Sequence, residues 1–231
     1  MVLSILVAFA IDAWWDAHQL RDAEAAAMEA LRDELVQNRE VLQRSIAFNQ
    51  KSRRRASLFL AASPAQIRQT DYRSQVYSTP AEAAGVLWAL DTFDPDVGAL
   101  VRFLNRNELA TDLGRTVYAA VVNWETKRVD AGEEAEALWE SCLILLRGLT
   151  SYLSDLVPSR ETPAGLPLLN QDGPERLARF RADEQLMGEL ITKAQLQFIY
   201  TRELRALLQH TDQVLGILGV DADTLPGIES P

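Results

Sequence analysis

The hydrophobic and polar positions of the chain follow helical spacing for most of its 231 residues. The first long pattern predicts one helix over Ala17–Leu60, because its inward positions recur at alternating intervals of three and four. These positions are Met28, Leu31, Leu35, Asn38, Leu42 and Ser45. A buried Asn can set the register of a coiled coil. In a globular bundle it is partly exposed or bonded to the backbone, and we predict this second role for Asn38.

Proline and capping residues divide the rest of the chain. Ser63-Pro64 breaks the first helix, and residues 65–78 are predicted to form a connection. Residues 78–82 (STPAE) carry a capping-box signal with Pro80 at the first helical position. After this signal, one helix is predicted to begin at Asp94-Pro95. Three more helices are predicted over Glu108–Val129, Glu133–Val157 and about Ala182–Leu218.

The apolar faces of these helices predict an all-α fold, a bundle of about five to six helices. Three tryptophans at helical positions, Trp88, Trp124 and Trp139, are expected in the core or around a cavity between helices. The other predicted inward side chains are Val86, Leu87, Leu90, Val97, Leu100, Val101, Leu104, Leu109, Leu113, Val117, Val121, Leu138, Cys142, Leu145, Leu149, Leu186, Leu190, Ala194, Phe198, Leu204 and Leu208. Residues 158–174 contain four of the nine prolines and are predicted as a surface loop.

The opening stretch has a different pattern. Residues 1–11 carry no charged side chain, and they are followed by the cluster Asp12, Trp14, Trp15 and Asp16. Paired tryptophans beside charges are typical of a bilayer interface. A spanning helix needs about 20 apolar residues, however, whereas a run of about 10–14 is typical of a core helix or a signal-peptide core.

Three interpretations of this stretch stay open. Ala8-Phe9-Ala10 has the form of a signal-peptide cleavage site, although no basic region precedes it. A buried core helix would suit the length. We expect the third, a membrane anchor over residues 1–16 whose true start lies upstream, because the aromatic–acid boundary suits an interface. A bundle domain over residues 17–218 and an irregular tail over 219–231 would follow.

The stretch AFAIDAWWD followed by EALRDELVQNREVL resembles the start of a group of uncharacterised bacterial membrane-anchored helical proteins. In that group a short hydrophobic helix ends in a Trp–acid or Trp–Asn pair, and a long helix follows. Residues 99–125 and 183–208 resemble the group's central helix pair and last helix, although Asn105-Arg106-Asn107 replaces a small-residue turn. The resemblance implies a tethered helical domain and supplies no catalytic residues.

Charge narrows the range of partners. The chain has 33 Asp and Glu against 23 Lys and Arg, a formal net charge of −10. Nucleic acid is therefore not an expected partner, because such binding rests on neutralising phosphates. The densest positive run is Lys51, Arg53, Arg54 and Arg55. It is either a solvated face that complements the end of the first helix, or a contact for anionic lipid or a partner.

No pattern in the sequence indicates a reaction. His18 and His210 each lack the neighbouring ligands of di-iron and zinc motifs, and His210 is expected to pair with Asp212 at the surface. Cys142 lies on an apolar helical face, where a thiol packs as a small hydrophobe. Residues 133–136 (EEAE) are expected to open a helix. We predict no metal, no cofactor and no enzymatic activity.

The sequence thus predicts a non-enzymatic, membrane-tethered interaction or scaffold module, single-pass in the bacterial inner membrane. It would contact lipid through its N-terminal helix, and a protein partner or its own copy through the first long helix. The alternative is a ligand-sensing bundle, which a pocket of several hundred Å³ lined by Trp and Arg would favour. Both orientations in the membrane stay open, and the lack of a basic residue directly after Trp15 favours an extracytoplasmic body.

Overall fold

A computed structural model describes residues 2–68, 90–106, 108–153 and 173–221. Within these ranges the chain is an all-α helical bundle without strands, so the predicted fold class is confirmed. The helices are α1 (Val2–Ala61), α2 (Pro64–Arg68), α3 (Gly98–Leu104), α4 (Asp112–Leu153), α5 (Gly173–Ala182) and α6 (Glu184–Ile217). The start signal at residues 78–82, Val86, Leu87, Trp88 and residues 158–172 lie outside the described residues.

The chain divides into two compact units, and each contains a segment of α1, α4 and α6. Unit 1 takes its described residues from Met1–Arg44, Phe93–Asp130 and Leu204–Pro231. Unit 2 takes its described residues from Ser45–Thr92 and Ala131–Glu203. Long helices of this kind obtain most of their stability from burying one face against neighbours.

The predicted stripe of α1 is confirmed. Leu31, Leu35 and Leu42 are fully buried, while Met28 is half-buried. The Asn38 side chain is bonded to backbone, as predicted: its Nδ2 donates to the Asp96 carbonyl (2.7 Å), and its Oδ1 accepts from the Asp96 amide (3.1 Å). This polar position therefore holds the segment before α3 against α1.

The break at Ser63-Pro64 is confirmed, but residues 65–68 of the predicted connection belong to the short helix α2. The rest of the predicted connection, residues 69–78, lies outside the described residues. Ser63 and Gln66 form a capping box at the start of α2. The Ser63 amide donates to Gln66 Oε1 (2.8 Å), and the Gln66 amide donates to Ser63 Oγ (3.3 Å). The serine–proline–x–glutamine pattern was thus a start signal as well as a stop signal.

Helix α3 begins at Gly98, later than the predicted start at Asp94-Pro95. Its first amides are capped by a distant carboxylate, since Ala99 and Leu100 donate to the two Glu34 oxygens at 2.5 and 2.9 Å. A carboxylate at this position satisfies free amides and complements the helix dipole. The inward side chains are Leu100 and Phe103, whereas Val101, predicted to be inward, is exposed.

The two helices predicted over Glu108–Val129 and Glu133–Val157 are one helix, α4. The separation at Gly132 was wrong because an isolated glycine costs only about 1 kcal/mol in a helix, and strong helix formers flank it. The glutamates of residues 133–136 therefore lie inside α4, and none of them is in its first turn. The start of α4 is capped instead by Thr111, whose Oγ1 accepts from the Gly114 amide. Just before the helix, the Glu24 carboxylate accepts from the Ala110 amide and the Thr111 hydroxyl.

Most predicted inward positions of α4 are confirmed. Val117, Val121, Trp124, Leu138, Cys142 and Leu145 are buried. The indole Nε1 of Trp124 donates to Thr211 Oγ1 at 2.8 Å, which satisfies its polar group inside unit 1. Leu113 and Trp139 are exposed, so the prediction that both lie inward was wrong.

The buried stripe of α6 differs from the predicted one. Its buried positions are Leu186, Leu190, Lys193, Gln197, Tyr200, Leu204, Leu207, Thr211 and Val214, at alternating intervals of four and three. The predicted positions Ala194 and Phe198 lie beside this stripe, and Phe198 is 49% exposed. The stripe was missed because Lys193 and Gln197 interrupt its apolar pattern.

Candidate functional site

The first candidate site is the start of α1, where apolar side chains are exposed on every face. The large apolar side chains between residues 5 and 15 are 48–67% exposed. They are Ile5, Leu6, Val7, Phe9, Ile11, Trp14 and Trp15. The interpretation of these residues as a buried core helix was therefore wrong. We name this stretch, residues 5–16, the N-terminal segment.

The four predicted interface residues close this segment. Trp14 and Trp15 have ring centroids 6.3 Å apart, and Trp14 also lies 5.5 Å from the His18 ring. Asp12 and Asp16 are exposed, and neither forms an ion pair with a described residue. The segment therefore ends in two large amphipathic rings flanked by two solvated carboxylates. No helix in the described ranges is both long and apolar enough to cross a membrane.

The second candidate site is the basic cluster of α1, which we define as Lys51, Arg53, Arg54 and Arg55. Lys51 and Arg54 are exposed, and the two other arginines are half-buried. The last turn of α1 contains no basic residue, so the cluster lies too far from the helix end to complement its dipole. None of its four charges is neutralised by an ion pair within the part of the chain that the structure describes.

Arg53 joins the basic cluster to an open groove between α1 and α6 in unit 2. Its guanidinium lies 4.9 Å from the centre of the Phe198 ring, a cation–π contact. The groove has a volume of about 540 Å³, and Leu60, Ile191 and Ile199 provide apolar lining. The arrangement combines an unneutralised cation with exposed apolar surface. The sequence indicated Arg53 but not the groove, because Phe198 was predicted to point inward.

Beneath this surface, buried polar groups fix the segment at residues 90–92 to α1. Asn49 Nδ2 donates to the carbonyls of Ser45 (2.9 Å) and Asp91 (2.8 Å), and its Oδ1 accepts from Gln197 Nε2 (3.0 Å). The Ser45 hydroxyl also donates to the Asp91 carboxylate at 2.8 Å. These bonds satisfy side chains that would otherwise be costly to bury.

Lys193 is the most deeply buried cation described. Burial lowers its pKa to about 8, an effect that the nearby Cys142 partly opposes. Burial likewise raises the pKa of the Cys142 thiol, and the charge of Lys193 acts in the opposite direction. Both side chains have almost no exposed area, so a substrate cannot reach them in this conformation. The predicted packing role of Cys142 is consistent with its burial.

In unit 1 the expected surface pair of His210 and Asp212 was wrong. Asp212 instead accepts from Arg39, with Nε and Oδ1 2.7 Å apart. Arg39 is largely buried, and its pairing partner is 173 residues away in sequence. Such a distant pair cannot be inferred from spacing along one helix.

No group of three or more His, Cys, Asp or Glu side chains in residues 2–68, 90–106, 108–153 and 173–221 is placed to hold a metal ion. Comparison of the chain with protein-family models, with curated proteins and with solved structures gave no match.

Proposed function

We propose that this protein is a membrane-tethered helical interaction module, in which the N-terminal segment inserts into lipid and the bundle binds a protein partner. The observation that carries this proposal is the exposure of apolar side chains on every face of that segment. A helix that packs on protein needs one apolar face, whereas a helix surrounded by lipid is apolar all round.

The energetics support insertion. Burying a large apolar side chain contributes about 1.5–3 kcal/mol relative to full exposure, so half-exposed side chains have roughly 1 kcal/mol each still to gain. Seven of them are available between residues 5 and 15. Trp14 and Trp15 would lie at headgroup level, where their rings are favoured, and Asp12 and Asp16 would stay in water or among headgroups.

The basic cluster and the groove beside it support the interaction part of the proposal. Arginine and large aromatic side chains are the residues that dominate binding energy at protein interfaces. Here Arg53 and Phe198 are in contact, and Phe198 and Ile191 are nearly half exposed. The sequence contains no di-iron or zinc motif, and a role in binding requires neither.

Sensing of a small molecule is a second candidate function, favoured by the volume of the groove. About 540 Å³ is within the range of ligand sites, and Arg53 could pair with an anionic group. The groove is open to solvent, however, and such sites usually enclose most of their ligand. Among the described residues, its lining also contains no tryptophan. We therefore favour association with a protein.

Flotation with liposomes tests the tether. Purified full chain should float with the vesicles, and a triple variant, Leu6→Ser with Phe9→Ser and Ile11→Ser, should stay at the bottom of the gradient. The matched control replaces three exposed apolar residues of α4, Leu113, Val122 and Val129, by Ser. The control should float like the unmodified chain. Flotation of the triple variant at the level of the unmodified chain would refute the tether.

A further inference from the structure

Unit 2 exposes a second surface, of opposite charge to the basic cluster, and we infer that this surface docks into the groove of another copy of this chain. The second surface is on α4 and consists of Glu136, Trp139, Glu140 and Ile144, which we name the acidic face. The inference deepens the proposed function, on which it rests, by naming the partner as the chain itself.

The acidic face has the features of a protein interface that is exposed in the single chain. Trp139 is 53% exposed, and Ile144 is also exposed. Glu136 and Glu140 are exposed and one helical turn apart, and neither forms an ion pair within the described ranges. An exposed tryptophan between two free carboxylates is unusual for a solvated face, and tryptophan is strongly enriched among residues that anchor interfaces.

The two surfaces match in charge. Among the residues that the structure describes, the four cations of the basic cluster form no ion pair, and neither do Glu136 and Glu140. Arg53 is the member of the basic cluster that lines the groove. Docking would therefore form new ion pairs without breaking any that the structure describes. Complementary potentials also orient the encounter and disfavour wrong partners. The chain as a whole carries a net charge of −10, so two copies repel each other over most of their surfaces. A local cationic surface is therefore where an acidic helix of a second copy can approach.

The two surfaces also match in form and length. A helix that presents anchors at intervals of three and four residues is the usual occupant of an apolar groove between helices. The groove is lined by residues 53–60 and 191–199, so each side covers about two helical turns. Residues 136–144 of α4 span the same length. Trp139 can then cover the apolar lining while Glu136 and Glu140 approach the arginines.

The contact joins two different surfaces, so it is heterologous and can extend into rings or chains of copies. Attachment of each copy to the same membrane would raise their effective concentration, and a weak contact would then be sufficient. The groove between α1 and α6 is small and apolar, which is consistent with a weak contact between copies. Anionic lipid headgroups, the other ligands of matching charge, are an outcome of the test.

Sedimentation velocity of the detergent-solubilised full chain, over a range of concentrations, tests the inference. The unmodified chain should associate, and Arg53→Glu and Glu140→Lys should each weaken its association about tenfold or more, because each places like charges opposite each other. Circular dichroism checks that each variant keeps its helices. The matched controls, Arg205→Glu and Glu40→Lys, change exposed charges of unit 1 and should associate like the unmodified chain.

Mixing the two variants gives the decisive result. The Arg53→Glu chain keeps an intact acidic face, and the Glu140→Lys chain keeps an intact groove. The mixture should therefore recover the association that each variant alone has largely lost. A monomeric unmodified chain at every concentration, variants that associate normally, or a mixture that fails to recover would each overturn the inference.

Flotation separates this inference from the tether. Both charge variants should float with neutral liposomes like the unmodified chain, since they leave the N-terminal segment intact. Normal flotation without self-association overturns the docking of a second copy and leaves the tether standing. Should the unmodified chain bind anionic vesicles more tightly than neutral ones, and should Arg53→Glu remove that difference while self-association is unchanged, the groove serves lipid and the inference is also overturned.

Discussion

Two stretches of α1 differ both in their density of apolar residues and in what surrounds those residues. Between residues 5 and 15 the apolar side chains are distributed around the whole helix and are exposed. Between residues 31 and 59 the buried side chains form one stripe, which packs against the bundle. The distribution of apolar residues around the axis, together with their density, therefore indicates what surrounds a helix.

The polar residues of the same two stretches show the same contrast. Glu34, Asn38 and Asn49 are buried, and each makes hydrogen bonds with backbone atoms. Asp12 and Asp16 are exposed at the edge of the N-terminal segment. Buried polar groups must be bonded, because their desolvation is otherwise uncompensated. These three side chains of the bundle part of α1 obey this rule, and the two carboxylates of the N-terminal segment are exposed to solvent.

The largest expected effect compares a leucine from each stretch. Leu35→Ala should lower the free energy of unfolding by about 2–5 kcal/mol, because it leaves a cavity around a fully buried position. Leu6→Ala should change it by less than about 0.5 kcal/mol, because Leu6 is exposed and packs on no core. Urea unfolding of the full chain in mild detergent measures both. Equal losses of unfolding free energy in the two variants would contradict the different surroundings of the two stretches.

A smaller effect tests whether water is excluded from the bundle interior around Lys193. The pKa of Lys193 is about 8 in the folded protein, below its ordinary value of 10.5, so the unfolded chain binds more protons between these values. Stability should therefore rise with pH from about 8 to about 10.5, by no more than about 3 kcal/mol.

The measurement is urea unfolding at pH 7, 8.5 and 10, with Cys142→Ala in all chains to remove the neighbouring thiol. Lys193→Met should abolish the rise in stability with pH. Lys51→Met, which removes an exposed cation from α1, should leave that rise unchanged. The same slope with and without Lys193 would mean that its ammonium is solvated.

The smallest expected effect compares two carboxylates of α1. Glu34→Ala should cost about 2 kcal/mol, because the amides of Ala99 and Leu100 lose a charged acceptor at the start of α3. Asp12→Ala should leave the free energy of unfolding unchanged, since its carboxylate is exposed. Thermal unfolding followed by circular dichroism compares them. A loss for Asp12→Ala as large as that for Glu34→Ala would show that the N-terminal segment is part of the bundle.

Much of the fold could be predicted from the sequence where apolar residues are spaced regularly. The stripe of α1, the backbone role of Asn38 and the burial of Trp124 all followed from local pattern. The stripe of α6 could not be predicted in the same way, because Lys193 and Gln197 occupy buried positions. Their burial depends on partners elsewhere in the chain, such as Asn49, and no local pattern contains that information.

The candidate sites were predicted to different degrees. The basic cluster was visible as a run of charges, but the groove depends on how α1 and α6 pack and on the outward direction of Phe198. The start of α3 could not be predicted from the sequence either, because its cap is supplied by Glu34, about 65 residues earlier in the chain. Long-range partners of this kind decide where helices begin and which faces stay exposed.

The central claim is that lipid surrounds the N-terminal segment. Cells producing the full chain are lysed without detergent, and the chain is followed through high-speed centrifugation and a sucrose gradient. We expect it in the membrane band, resistant to an alkaline carbonate wash and released by detergent. Recovery of the folded, full-length chain in the supernatant would contradict the claim, because seven exposed apolar side chains would then be stable in water.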